Sequence, residues 1–182
     1  MDTGLVIAAQ HGDEEAFASL AVAIGGRLNA VAHRILRDLD LAEDATQQAL
    51  LTIWQDLPQL REPARFEAWS YRLLVRACYR QARTTRRWAP NLHLLPADEP
   101  RVPEGVASVH DRDQLERGFQ RLSIDHRAVV VLHHYLDLTI DEVAEALGVP
   151  VGTVRSRLYY AMRGLRAALD ADAQPVAWEV AK

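Results

Sequence analysis

The chain has 182 residues, 49% of them hydrophobic and 25% charged, with a formal net charge of -4. That size allows one domain or two small ones, and the charge excludes nucleic-acid affinity that rests on overall basicity. A lone cysteine excludes an intrachain disulfide and a cysteine-rich zinc site, and no run approaches the ~18 apolar residues of a membrane span.

No charged N-terminal segment leads into an apolar run, so no secretory signal and a cytoplasmic location are expected. Asp13 can cap a first helix running to about Arg37, with Phe17, Leu20, Ile24, Leu28, Val31 and Ile35 as its apolar stripe. Asp40 or Leu41 opens another, which Pro58 ends after Leu57. Its first turn holds Glu43 and Asp44; Gln47 and Gln48 follow, and Leu50, Leu51, Ile53, Trp54 and Leu57 carry the apolar load. The acids suit the helix dipole, and the polar face suits a protein partner equally well. Glu62 to Phe66, with Pro63, forms a loop.

A long helix then runs from about Phe66 to Arg86, with Cys78 as a small buried residue. Arg72, Arg76, Arg80, Arg83 and Arg87 share one stripe of it, beside an apolar stripe of Phe66, Leu73 and Ala77, with Trp69 on the border. Between Arg61 and Trp88 the only acids are Glu62 and Glu67. Like charges on one stripe repel unless a polyanion lies there, and an arginine track flanked by aromatics holds single-stranded or melted DNA. For Phe66 and Trp69 a core role stands beside that reading.

Residues 89–109 hold Pro90, Pro96, Pro100 and Pro103 without helical periodicity, the pattern of an extended linker. Helical periodicity returns from about Asp111 to Asp170. The clearest signal begins at Thr139, a good N-cap with Glu142 three residues on to complete a capping box. Ile140, Val143, Ala144 and Leu147 make one apolar face, Gly148 sits where a left-handed C-cap is wanted, and Pro150 opens the next helix. Val151, Val154, Leu158 and Leu165 form that helix's inner face. Helix, glycine turn and second amphipathic helix make a helix-turn-helix.

On the outer face Gly152, Arg155, Ser156, Tyr159 and Arg163 share a surface, with Thr153, Arg157 and Tyr160 close by and no acid between Pro150 and Leu169. Arginine bonds guanine bidentately and serine or threonine bonds base edges or phosphates, so this helix is expected to read duplex DNA. The fold expected is all-α: two small helical domains, 1–88 and 111–170, joined by a flexible linker, 89–110. A tail, 171–182, follows, whose Trp178 can dock on the body.

Together these pieces resemble the extracytoplasmic-function sigma factors of the sigma-70 family. Ala42 to Trp54 and Phe66 to Leu73 look like region 2, and Thr139 to Arg166 looks like region 4. The resemblance implies that the helix with Asp44, Gln47, Gln48 and Leu51 docks on the beta-prime clamp coiled coil of core RNA polymerase. It also implies that the loop before Phe66 and the helix after it capture a base flipped from the -10 element. The surface for that melting is Phe66, Trp69, Arg72, Arg76, Arg80 and Arg83. The helix from Val151 would read the -35 element of promoter DNA while its domain grips the beta flap. The family is often held inactive by an anti-sigma factor, so such a partner is expected. The chain departs from the family's common pattern at Gln48, Leu50, Arg76 and Tyr160.

A stand-alone helix-turn-helix regulator, dimeric on duplex DNA, explains the second domain equally well but leaves the arginine stripe of the first without a purpose. No enzyme is expected. His126, His133 and His134 fall near Asp125 and Asp137 at spacings that match no zinc motif, and no phosphate loop or nucleophile elbow occurs. Neither a cofactor nor a metal is expected.

Overall fold

A computed structural model describes residues 2–88 and 115–172. The linker expected at 89–110, and the tail with Trp178 from residue 173 on, lie outside the described residues. Helix α1 spans Thr3–Gln10, α2 Glu14–Leu36, α3 Leu39–Asp56 and α4 Phe66–Trp88. Residues 115–120 form α5, and α6 (Ile124–Val130), α7 (Ile140–Leu147) and α8 (Val151–Asp172) follow. The described residues contain helices, turns and loops and no strand.

Short polar side chains set where the first helices start. Asp2, Asp13 and Asp38 each accept a backbone N–H, from Gly4, Ala16 and Leu41, at 2.9 Å, satisfying donors that the first turn leaves open. Glu14 and Glu15 lie in the first turn of α2 and Arg34 in its last, both favourable to its dipole. Arg37 closes α2 in the left-handed region at φ 62°, its N–H donating to the His33 carbonyl. Leu20, Ile24, Leu28, Val31 and Ile35 are buried as the spacing requires, whereas Phe17 lies at the margin with its ring 4.5 Å from that of Trp54.

Helix α2 packs on α3, α3 on α4, and α1 closes over the start of α2. Between α3 and α4 the chain makes two short 3-10 turns, Leu57–Gln59 and Pro63–Arg65. Gln10, at the end of α1, donates its side-chain amide to the carbonyls of Leu57 (3.1 Å) and Leu60 (2.7 Å) and so pins this loop. Cys78 is buried in α4, and loss of solvent pushes its thiol up to about 12, which makes it inert as a nucleophile at neutral pH.

After α6 the helix widens into a π turn, Val131–Tyr135, where the N–H of Leu136 donates to the Val131 carbonyl. Asp137, at φ 55°, then reverses the chain toward Thr139. The π turn places Tyr135 outward, where the Arg34 guanidinium sits 3.9 Å from the ring centroid. His133 turns its Nδ1 to the Leu138 carbonyl at 2.7 Å, a packing role.

Thr139 and Glu142 form the complete capping box of α7, and Gly148 ends that helix at φ 65°. Thr139→Ala is expected to lower the free energy of unfolding by about 1 kcal/mol, read from the urea midpoint. Hydrogen bonds from the Thr139 backbone and hydroxyl hold the Glu142 carboxyl below its ordinary value. Its contribution is therefore present above the unfolded carboxyl range and fades as pH falls through the lowered folded value. The variant should accordingly lose less stability on acidification than the parent chain does.

The two helical halves do not stand apart. α7 packs across α4, and α6 packs against α2. The buried core runs without a break from Leu28 and Leu74 to Val129, Leu132, Val143 and Val154. A smaller cluster of Leu122, Ala161 and Leu165 holds α8 to the segment before α6.

Candidate nucleic-acid interface

Helix α8 has one face buried and one exposed. Val154, Leu158, Ala161 and Leu165 are buried, while Gly152, Arg155, Ser156, Tyr159, Tyr160 and Arg163 are exposed. The left-handed Gly148 turn sets α8 across α7 and presents that exposed face outward. The rings of Tyr159 and Tyr160 meet edge to face with centroids 5.4 Å apart. Tyr159 is 62% exposed and Tyr160 56%, large apolar areas for a surface helix. Ser156 donates its hydroxyl back to the Thr153 carbonyl at 2.9 Å, and Thr153 is half-buried.

Arg157 departs from the expectation. It turns inward to Asp125, Nη2 to Oδ1 3.4 Å, and Asp125 also accepts the Tyr79 hydroxyl of α4 at 2.7 Å. Burial and that hydrogen bond push the Tyr79 phenol above its ordinary range.

On α4, Arg76, Arg80 and Arg83 are exposed along one side, as the spacing requires; the side chain of Arg87 lies outside the described residues. Phe66 takes the core role left open for it: its ring is 1% exposed and anchors the start of α4. Its apolar neighbours outcompete solvent because the ring carries no polar group to keep it at the surface. Trp69 is half-buried with its ring centroid 6.0 Å from that of Phe66. Beside it opens a cleft of about 310 Å³ lined by the 57–66 loop, Arg65, Trp69 and Arg72, with Glu145 of α7 as its far wall. Arg72 is only partly exposed, and its buried Nε has no hydrogen-bond partner among the described residues.

On α3, Asp44 and Gln47 are exposed, Gln48 is half-buried and Leu51 is 57% exposed. Together with Glu43 and Trp54 they make a mixed acidic and apolar strip, separate from both arginine surfaces and suited to a protein partner.

The sequence matches the Sigma-70 region 2 family over residues 20–88 and the Sigma-70, region 4 family over residues 112–165. It is 31% identical over 139 residues to the ECF RNA polymerase sigma factor SigL of Mycobacterium tuberculosis, covering 75% of this chain and 78% of SigL. The chain belongs to the extracytoplasmic-function sigma factors of the sigma-70 family. Sigma factors are regulatory and not catalytic, and the function of this one is to direct transcription initiation. The region 2 match covers the half that a free-standing regulator leaves unexplained, and that alternative is not favoured.

The fold has solved counterparts. CnrH, in complex with the cytosolic domain of CnrY, superposes with a TM-score of 0.67 at 24% identity, covering 94% of this chain and 99% of CnrH. RpoE of Bartonella quintana, in complex with the anti-sigma factor NepR, gives 0.66 at 22% identity, covering 86% of this chain and 98% of RpoE. The all-α, two-domain sigma architecture expected from the sequence is therefore the one observed.

Several residues of the sigma-factor surfaces went unmarked in the sequence. Gln10 positions the cleft loop, Arg65 lines the cleft, Glu145 engages Arg65 and Arg72, and Asp125 engages Arg157. Only Arg65 had a local signal, as one more arginine in the Arg61 to Trp88 stretch. Among the described residues no group of His, Cys, Asp or Glu is placed to hold a metal, and no helix is long and apolar enough to cross a membrane.

Proposed function

We propose that this sigma factor reads promoters through two separate surfaces and meets polymerase through a third. The face of α8 carrying Arg155, Ser156, Tyr159, Tyr160 and Arg163 contacts the -35 element in the major groove. The α4 stripe of Arg72, Arg76, Arg80 and Arg83, with Trp69 and the 57–66 loop, holds the -10 strand as it melts. The exposed α3 strip of Asp44, Gln47 and Leu51 docks on the clamp coiled coil of the beta-prime subunit, and the region 4 domain meets the beta flap. An anti-sigma factor is a further partner, as it is for RpoE of Bartonella quintana. The functional units are residues 1–88 and 111–170.

One observation supports this reading above the others. The exposed arginines of α8 and α4 stand on opposite sequence halves of one chain, each on a helix whose other face is buried. Guanidiniums suit both tasks, bidentate to guanine in duplex DNA and against phosphates and bases in a single strand. Melting by extrusion of a base lowers its cost when the freed base finds a pocket, and the cleft beside Trp69 has the polar rim and aromatic wall for one. The test is co-elution with bacterial core RNA polymerase, followed by open-complex formation on genomic promoter fragments. A stable 1:1 complex and polymerase-dependent melting are expected. Failure to bind core, with dimeric binding to duplex DNA alone, would return the chain to the regulators.

A further inference from the structure

One wall of the cleft beside Trp69 is irregular backbone, with Gln59, Leu60, Arg61, Glu62 and Arg65 along it. Pro58 and Pro63 carry no N–H, so this stretch has few donors with which to stitch itself together. Its own backbone supplies turn bonds, from Leu60 N–H to the Leu57 carbonyl at 3.1 Å and from Arg65 N–H to the Glu62 carbonyl at 2.9 Å. A tie to the body of the molecule comes from α1. The Gln10 amide has two N–H groups and donates to the Leu57 and Leu60 carbonyls, across 47 and 50 positions of sequence.

Gln10 is itself held in place. Val6 and Ala9 bury α1 in the core, and Gly12, at φ 90°, turns the chain toward α2. The Gly12 and Asp13 N–H groups donate to the Ala9 and Ala8 carbonyls, the paired bonds of a glycine C-cap. The last residue of α1 is thereby fixed against the loop, although the whole helix lies ahead of the residues that match region 2.

We propose that α1 belongs to the strand-melting apparatus, with Gln10 the positioning residue that holds the 57–62 backbone in the shape that accepts an extruded base. Gln10 acts through the loop and touches no DNA. A pocket already formed when the base arrives loses less free energy to ordering. Without the two amide bonds the loop samples other shapes, and apparent affinity for the base falls with the fraction that still fits. The exposed faces of α8 and α3 are other surfaces and keep their contacts.

The inference rests on the reading of this cleft as the base pocket, and the test separates the two. Holoenzyme is assembled from core RNA polymerase with the parent chain, Gln10→Met, Trp69→Ala or Ile35→Val. Methionine keeps the side-chain length and removes the donors, whereas Ile35→Val loosens the buried core at the far end of α2. Affinity is measured for fluorescein-labelled non-template strands of a promoter that the parent melts, carrying each base in turn or an abasic site at the extruded position. The ratio of affinities for the best base and the abasic site does not depend on the active fraction, so a general loss of stability does not move it. Gln10→Met is expected to lower that ratio about threefold or more, the scale of one or two hydrogen bonds. Trp69→Ala should lower it too, and Ile35→Val should leave it at the parent's value. A full ratio in Gln10→Met beside a lowered one in Trp69→Ala would overturn the role of α1 and leave the pocket standing. Full ratios in both would remove the base pocket and this inference with it. A ratio lowered equally by Ile35→Val would overturn the positioning role and leave Gln10 as a packing residue.

Discussion

Replacing Phe66 with alanine is expected to destabilise the fold by about 3–5 kcal/mol, the cost of truncating a fully buried aromatic ring. The ring is 1% exposed at the first position of α4, and the core it joins holds α4 to the rest of the N-terminal half. Against a total stability of about 5–15 kcal/mol, that loss leaves a large unfolded fraction in any marginal condition. Urea denaturation followed by circular dichroism gives the number. Phe66→Leu, which keeps most of the apolar volume, should recover most of the stability and with it open-complex formation. Trp69→Ala should behave oppositely, with a smaller stability loss and a melting defect that exceeds any defect in closed-complex binding. A well-folded Phe66→Leu that still cannot melt promoters would show that the ring meets a base after all.

The contrast between those neighbours explains what was legible in the sequence. Phe66 belongs to the apolar stripe, and helical spacing also places it about 40° from Arg80 at the edge of the arginine stripe. Only the depth of the surrounding core decides, and depth comes from α2 and α3, which are distant in sequence. The capping box at Thr139, the Gly148 turn and the buried face of α2 are, by contrast, local chemistry, so they could be located from the chain. Helix α1 escaped because Leu5 to Ala9 is uniformly apolar and shows no period; only Asp2, as its cap, marked it.

The π turn at Val131–Tyr135 left no residue signature, since its extra residue is accommodated by packing. The closure of α7 on α4 depends on pairs 80 positions apart, which no periodicity reports. Arg157 shows the same limit. By spacing it neighbours the exposed face of α8, yet Asp125 draws it inward, and an acid in the first turn of a different helix could not be assigned to it beforehand.

Arg155→Ala is expected to weaken -35 recognition by about 1–3 kcal/mol, roughly 5- to 150-fold in affinity, if its guanidinium makes a bidentate contact to guanine. Arg155 is the first exposed arginine of α8, one turn from its N-terminus and flanked by Gly152 and Ser156. A recognition helix brings its N-terminal residues to the base edges, and phosphate contacts lie farther along. Arg163, two turns on, is placed for the backbone, so Arg163→Ala should weaken all sequences alike and flatten the salt dependence by about one unit of slope. Polymerase-bound protein and a panel of -35 single-base variants separate the two cases. For Arg155→Ala the preference at one base position should vanish while the others persist. An equal loss on every sequence would assign Arg155 to phosphate and move base reading toward the exposed rings of Tyr159 and Tyr160, which can pack against a thymine methyl group but cannot replace a bidentate bond.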